Sequence, residues 1–242
     1  MLTAVFAILL YLATLVLVGG LGLRIWQYAS TPAPLKIPTT PAPTTTPGVV
    51  LRLAREVVLF ESLFRSNKWT WLFGWMFHAA LLLALLRHLR YGIEPVWTWV
   101  VWVQPFGKYA AFAMIAGLAG LWLRRIAVDR VRYISRPADH LLLLLLILIT
   151  LSGLGMGYVA PTDIVGLKAF VLGLIYFDWQ PLPADPLLLL HLALVAALMA
   201  VFPFSKLLHA PGVFFSPTRN QADDPRERRH VTAAFEASYR DG

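Results

Sequence analysis

An all-α membrane protein, a bundle of five spanning helices, is the fold class this sequence predicts, and three observations carry the prediction. Of the 242 residues, 58% are hydrophobic and only 14% charged, against about 45–50% and about 25% in soluble domains. The apolar residues gather into five runs, each close to the roughly 20 residues needed to cross a hydrocarbon core. Most of the seventeen prolines fall between those runs, where they separate helices instead of breaking them. The chain holds no cysteine, so disulfides, thiolate-bound zinc, Cys-ligated iron–sulfur clusters and covalent c-type haem attachment are excluded.

The first run, Leu2 to Leu23, has no basic residue before it and meets Arg24 directly after it. That is the reverse of a cleavable signal peptide with its basic leading region, and it predicts a retained first span. Residues 24–68 form a connecting arm. Its Ser30 to Gly48 stretch carries Pro32, Pro34, Pro38, Pro41, Pro43 and Pro47 among threonines, which favours extended polyproline-like backbone. From Val49 to Phe64, Val50, Leu53, Val57 and Phe60 recur at helical spacing while Arg52, Arg55 and Glu56 take the other face. An amphipathic helix lying in the membrane interface is the simplest reading, with docking to a partner as the alternative.

The second span is Trp69 to Leu89. Trp97, Trp99 and Trp102 form an aromatic belt at headgroup level before the third and shortest run, Tyr109 to Leu123. The fourth span is Leu141 to Val159. Ile164 to Phe177 is apolar but too short to span and contains Lys168, so a surface helix is expected there. The fifth span is Leu187 to Leu208, followed by a charged tail over 210–242.

The net charge of +8 does not form one basic patch. With five spans, seventeen of the Lys and Arg residues fall on one face of the membrane and four on the other. Basic residues flanking spans are retained on the cytoplasmic side, which predicts an outside N-terminus, a cytoplasmic C-terminus, and cytoplasmic positions for the 24–68 arm and the tail. Topology therefore explains the charge, and nucleic acid binding is not needed.

Four of the six histidines lie within or at the ends of two spans: His78 and His88 in the second, His191 and His209 in the fifth. Ionisable groups inside a membrane are costly and tend to mark function. Because the two helices run in opposite directions, His78 and His209 share the inner depth and His88 and His191 the outer one. The 18-residue step from His191 to His209 is five helical turns and puts both on one face, whereas His78 and His88 lie about 80° apart. The axial rises, about 15 Å and about 27 Å, do not match; a relative tilt or a bend at Pro203 has to absorb the difference.

Neutral imidazole pairs facing each other across a bundle suit a planar metal macrocycle, and no acidic or thiolate ligand lies nearby to complete a zinc or iron site. Two bis-histidine haem b groups, one above the other, are the best candidates, and filling both axial positions favours electron transfer over oxygen binding. His140 reads as an ordinary interfacial residue and His230 as part of a solvated tail. Gly19, Gly20 and Gly22, and likewise Gly153, Gly155 and Gly157, read as sites of close helix packing.

These residues carry a resemblance. The spacing of His78 and His88, with His191 and His209 in a helix ending Phe202-Pro203-Phe204-Ser205-Lys206-Leu207-Leu208-His209, resembles the dihaem cytochrome b of the respiratory nitrate reductase gamma subunit family, as do Asp129-Arg130-Val131-Arg132 and Asp139. By position it implies that His78 and His209 bind the haem near the cytoplasm and His88 and His191 the haem near the outer face. The arm departs from that pattern. Pro34-Leu35-Lys36-Ile37-Pro38-Thr39-Thr40, Arg55-Glu56-Val57-Val58 and Glu61-Ser62-Leu63-Phe64-Arg65 look like the DsrM-type branch, the cytochrome b of the membrane complex linked to dissimilatory sulfite reductase.

That branch implies a multi-pass subunit of the bacterial cytoplasmic membrane exchanging electrons with the quinone pool. It also implies a cytoplasmic iron–sulfur partner resembling the catalytic subunit of heterodisulfide reductases, and neighbouring membrane and cytochrome c subunits. The family's quinone site adjoins the outer haem, which makes Arg87 and Arg90 candidates to hold a quinone oxygen; snorkelling at a helix end accounts for them equally. The expected function is electron transfer within a quinone-linked oxidoreductase complex. The alternatives are a transporter using histidines as proton relays and a membrane anchor without redox chemistry.

Overall fold

The computed structural model describes residues 1–32 and 37–224. His230, the tail beyond residue 224 and the Pro34-Leu35-Lys36 segment lie outside the described residues. Among those described the chain is helical, without strands, and five of its helices are long and apolar enough to cross a membrane. The multi-pass reading of the composition is met.

In chain order, α1 is Leu2–Ser30, α2 Thr46–Leu59, α3 Glu61–Ser66, α4 Lys68–His88, α5 Thr98–Ala127 and α6 Asp129–Ile134. These are followed by α7 Pro137–Tyr158, α8 Ile164–Tyr176, α9 Pro186–Val201, α10 His209–Phe215 and α11 Pro217–Asn220. Polar residues start the helices as capping physics requires. Asn67 accepts the Thr70 N–H at 2.8 Å before α4, and Asp163 accepts the Val165 and Gly166 N–H groups at 3.0 Å before α8. At the start of α7, Asp139 is buried and accepts the Arg136 N–H at 3.1 Å.

The chain forms two compact units, the first comprising Met1–Leu21 and Ser62–Ser205, the second Gly22–Glu61 and Lys206–Gly242. In the first, α4 and α5 are the most extensively packed helices. Glycines permit that approach: a Cβ on Gly107 would lie 2.6 Å from the Arg87 Cβ, and one on Gly117 2.9 Å from the Phe73 carbonyl oxygen. Their shared core is Phe77, Ala80, Ala110, Met114 and Leu118, extended by Leu143 and Leu146 of α7. A second core surrounds Phe170, Leu182 and Leu188 with Phe6 and Leu10 of α1 packed on it. Tyr11 of α1 donates to the Leu174 carbonyl at 2.8 Å. Outside these cores large apolar side chains such as Leu15, Leu82, Leu123 and Leu141 stay exposed, as spanning helices require of their lipid-facing sides.

Three elements depart from the sequence reading. The third span, expected over 109–123, is the longest helix. Gln104, Pro105 and Lys108 dilute the hydropathy of its first third but do not end it, so Trp97 is the N-cap and Trp99 and Trp102 lie within the helix. Gln104 donates to the carbonyls of Val100 at 3.1 Å and Arg87 at 3.3 Å, tying this stretch to α4.

The fifth span, expected to continue to Leu208, leaves α-helical geometry after Val201. Pro203 sits in a 3-10 turn and Ser205 is extended at φ −117° and ψ 176°. This break at Pro203 removes the unbroken helix on which the shared face of His191 and His209 was reckoned. Thirdly, the amphipathic segment is two helices, because Phe60 between α2 and α3 is left-handed at φ 52°. A bulky residue there costs about 1–2 kcal/mol, and no Gly or Pro signals it.

The second unit shows that the arm is not bare. The Thr39 N–H bonds the Thr218 carbonyl at 3.0 Å, the Asp223 N–H bonds the Pro43 carbonyl at 2.8 Å, and Arg52 donates to the Thr39 carbonyl at 2.9 Å. The charged face of α2 turns towards this network: Arg219 of α11 bonds Glu56 at 2.7 Å. Its apolar side, Val50, Leu53, Val57 and Val58, lines an open groove of about 330 Å³ with Phe214.

Candidate functional site

Of the four histidines singled out by spacing, two are brought together within the first unit. His88, at the end of α4, and His191, in the second turn of α9, have ring centroids 6.3 Å apart and ring planes within 11° of parallel. Tyr91 meets His88 edge-on at 5.8 Å. Gly153 of α7 keeps side-chain bulk off His191, since a Cβ there would lie 3.6 Å from the imidazole Cε1.

The hydrogen bonds fix which ring nitrogen carries the proton. His88 donates from Nδ1 to the Ala84 carbonyl at 2.6 Å. The Nδ1 of His191 lies 3.1 Å from the Ile149 carbonyl and 2.9 Å from the Ser152 hydroxyl. A carbonyl only accepts, so Nδ1 carries a proton in both rings, and in the neutral ring the lone pair is on Nε2.

His78 and His209 follow the same rule. His78 lies in α4 within the first unit, edge-on to Phe77 at 4.7 Å, and its Nδ1 bonds the Gly74 carbonyl at 2.7 Å. His209 heads α10 in the second unit, and its Nδ1 bonds the Lys206 carbonyl at 2.8 Å. His140 is the opposite case. The Trp122 indole N–H, which can only donate, bonds its Nδ1 at 3.0 Å, so the His140 proton is on Nε2. The four histidines chosen by spacing thus share one tautomer, and His140, the other histidine among the described residues, has the other.

A metal–imidazole bond of about 2.0–2.1 Å, with about 1.1 Å more from ring nitrogen to ring centre, puts two imidazoles on opposite sides of one metal about 6.2–6.4 Å apart. The His88–His191 separation fits a group held between the two rings. Among the described residues no three His, Cys, Asp or Glu side chains come together as a metal site. A donor set of two neutral imidazoles suits a macrocycle that would need only axial ligands.

Of the two arginines beside this pair, the side chain of Arg90 is engaged. Arg90 donates to Gln104 at 3.3 Å and stacks on Tyr91 at 5.8 Å, and the backbone of Arg87 is fixed by Gln104. Two features escaped the reading of the sequence. Ser152, buried in α7, touches His191 from a helix whose periodicity marks it only as core. Gly107, Gly117 and Gly120 permit the approach of α5 to α4; the signal for Gly117 and Gly120 was the small-residue spacing inside the third run. Of the glycines singled out, Gly20 is a close contact, 2.7 Å from Pro203 for an added Cβ, whereas Gly19, Gly22 and Gly157 would meet nothing within 4 Å.

Comparison with known proteins supplies the remaining findings. The family model described as nitrate reductase gamma subunit matches residues 61–222, a stretch that holds all four histidines. A protein of Archaeoglobus fulgidus named Hdr-like menaquinol oxidoreductase cytochrome b-like subunit is 36% identical, the match covering 91% of this chain and 80% of that one. A protein of the same name from Archaeoglobus profundus is 34% identical, covering 94% and 81%.

Proposed function

Because the chain belongs to the nitrate reductase gamma subunit family, we propose that it is a dihaem b membrane subunit carrying electrons between a menaquinol-type quinone and a cytoplasmic iron–sulfur partner. The observation that carries the reading is the His88–His191 pair: near-parallel rings 6.3 Å apart, both protonated on Nδ1. When bound, haem b supplies a one-electron redox centre on each side of the membrane.

This chain's residues hold and insulate those centres. His88 and His191 would hold the outer group, their Nδ1–H groups being anchored to Ala84, Ile149 and Ser152. His78 and His209 serve the inner group, and their support is the sequence spacing and the shared tautomer. A haem held by two histidines would supply electron transfer and not oxygen binding. The N-terminus faces outward and the C-terminus the cytoplasm, a reading supported by the distribution of Lys and Arg. That topology puts the 24–68 arm, with its apolar groove, on the side of the iron–sulfur partner.

The relatives' names support both the quinone and a multi-subunit complex. The resemblance of the arm to the DsrM-type branch supports a place in sulfur-linked respiration. The test is a dithionite-reduced minus oxidised spectrum of the purified protein, with haem quantified per chain. Two low-spin b haems per chain are expected. A well-folded, colourless preparation would overturn the reading in favour of a histidine relay or a non-redox anchor.

A further inference from the structure

The four histidines differ in what anchors them. His78 and His88 bond carbonyls four residues back on their own helix, and His209 bonds a carbonyl three residues back. His191 uses no carbonyl of its own helix. Its Nδ1–H is received from across the helix interface by two atoms of α7, the Ile149 carbonyl at 3.1 Å and the Ser152 hydroxyl at 2.9 Å.

The Ser152 hydroxyl in turn lies 2.9 Å from that same Ile149 carbonyl. A hydroxyl has one proton. The carbonyl can only accept, so the proton of Ser152 goes to Ile149 and its oxygen lone pair faces the His191 N–H. The three atoms close a triangle in which Ser152 can act on the imidazole only as an acceptor. Ser152 is 4% exposed, so water does not compete for the contact.

We propose that Ser152 is the positioning residue of the His191 ligand, fixing its ring plane from α7 and making its imidazole a stronger electron donor than it would be without the hydroxyl. The proposal rests on the dihaem reading and deepens it by assigning which residue sets the two centres apart. A second acceptor on Nδ1–H raises the basicity of the ligand, a more basic ligand favours the oxidised iron, and the potential of that centre falls. A serine placed only for packing would have no such effect.

The test is a potentiometric titration of the purified full-length protein, followed by visible and electron paramagnetic resonance spectra, for the parent, Ser152→Ala and Ser152→Thr. In Ser152→Ala two haems remain, one midpoint potential rises, the low-field signal of that haem shifts, and the other haem is unchanged. Ser152→Thr, which keeps the hydroxyl, returns both quantities towards the parent. Loss of one haem in Ser152→Ala with retention in Ser152→Thr also supports the role.

Unchanged potentials and spectra in Ser152→Ala overturn the proposal and leave the dihaem reading standing. Equal loss of haem from both variants overturns it too, since the hydroxyl would then be irrelevant. A parent protein with fewer than two haems overturns the dihaem reading itself, a result visible before any variant is made.

Discussion

Substituting Gly117 tests the α4–α5 contact on which the position of His78 depends. A methyl group at Gly117 would stand 2.9 Å from the Phe73 carbonyl oxygen and 3.0 Å from both the backbone nitrogen and the Cβ of Phe77. Two of these neighbours are backbone atoms of α4 and cannot rotate away, so the helices must part. Overpacking of this kind costs about 1–3 kcal/mol. Ala also gains up to about 1 kcal/mol over Gly in helix propensity, so the comparison needs a control with the gain and no clash. Gly19, inside α1 with nothing within 4 Å of an added Cβ, provides it.

At about 2–4 °C per kcal/mol for a chain of this size, Gly117→Ala should melt about 2–12 °C below Gly19→Ala in detergent. On the proposed dihaem reading, the absorbance of the haem assigned to His78 should weaken in parallel, because Phe77 and His78 move with α4. Equal melting temperatures and equal haem content in the two variants would refute the close-approach argument.

Replacing either His88 or His191 with Ala should lower the haem count from two to one, whereas His140→Ala, whose Nδ1 is occupied by the Trp122 indole, should leave it at two; pyridine haemochrome assays decide both. Asp139→Ala removes a buried carboxylate that accepts the Arg136 N–H and lies 3.8 Å from the Arg125 guanidinium, a loss of about 1–3 kcal/mol to be read as a lower melting temperature. Double substitution of Glu56 and Arg219 to Gln should show a coupling of about 0.5–3 kcal/mol in a stability cycle, since both side chains are largely shielded. The cysteine-free sequence makes topology directly measurable: in intact cells an impermeant maleimide should label Val165→Cys and not Tyr133→Cys, and the reverse pattern would invert the assigned orientation.

The sequence makes the spans legible wherever apolar residues run unbroken, as in α1, α7 and α9. It understates α5 because Gln104, Pro105 and Lys108 look like a boundary when each is read alone. Gln104 satisfies the Val100 and Arg87 carbonyls, a compensation that involves a second helix and so leaves no local trace. The His88–His191 pairing follows from depth alone, because antiparallel helices confine the possible partners. The face argument for His191 and His209 required an unbroken helix, and Pro203 was the warning against it. Ser152 was beyond reach, since its role exists only when α7 and α9 pack. Phe60 is left-handed without the glycine that normally announces such a turn.

The different anchoring of the two facing histidines implies an order of assembly. The Nδ1–H of His88 is captured by Ala84 on the same helix, so this ligand is oriented as soon as α4 folds in the bilayer. The Nδ1–H of His191 finds its acceptors only on α7, and that ligand is ready only when two helices made at different moments of synthesis have met. Half of the socket is a property of one inserted segment and the other half of a docking event. On the dihaem reading proposed above, cofactor capture at this pair would wait for the seventh and ninth helices to find each other.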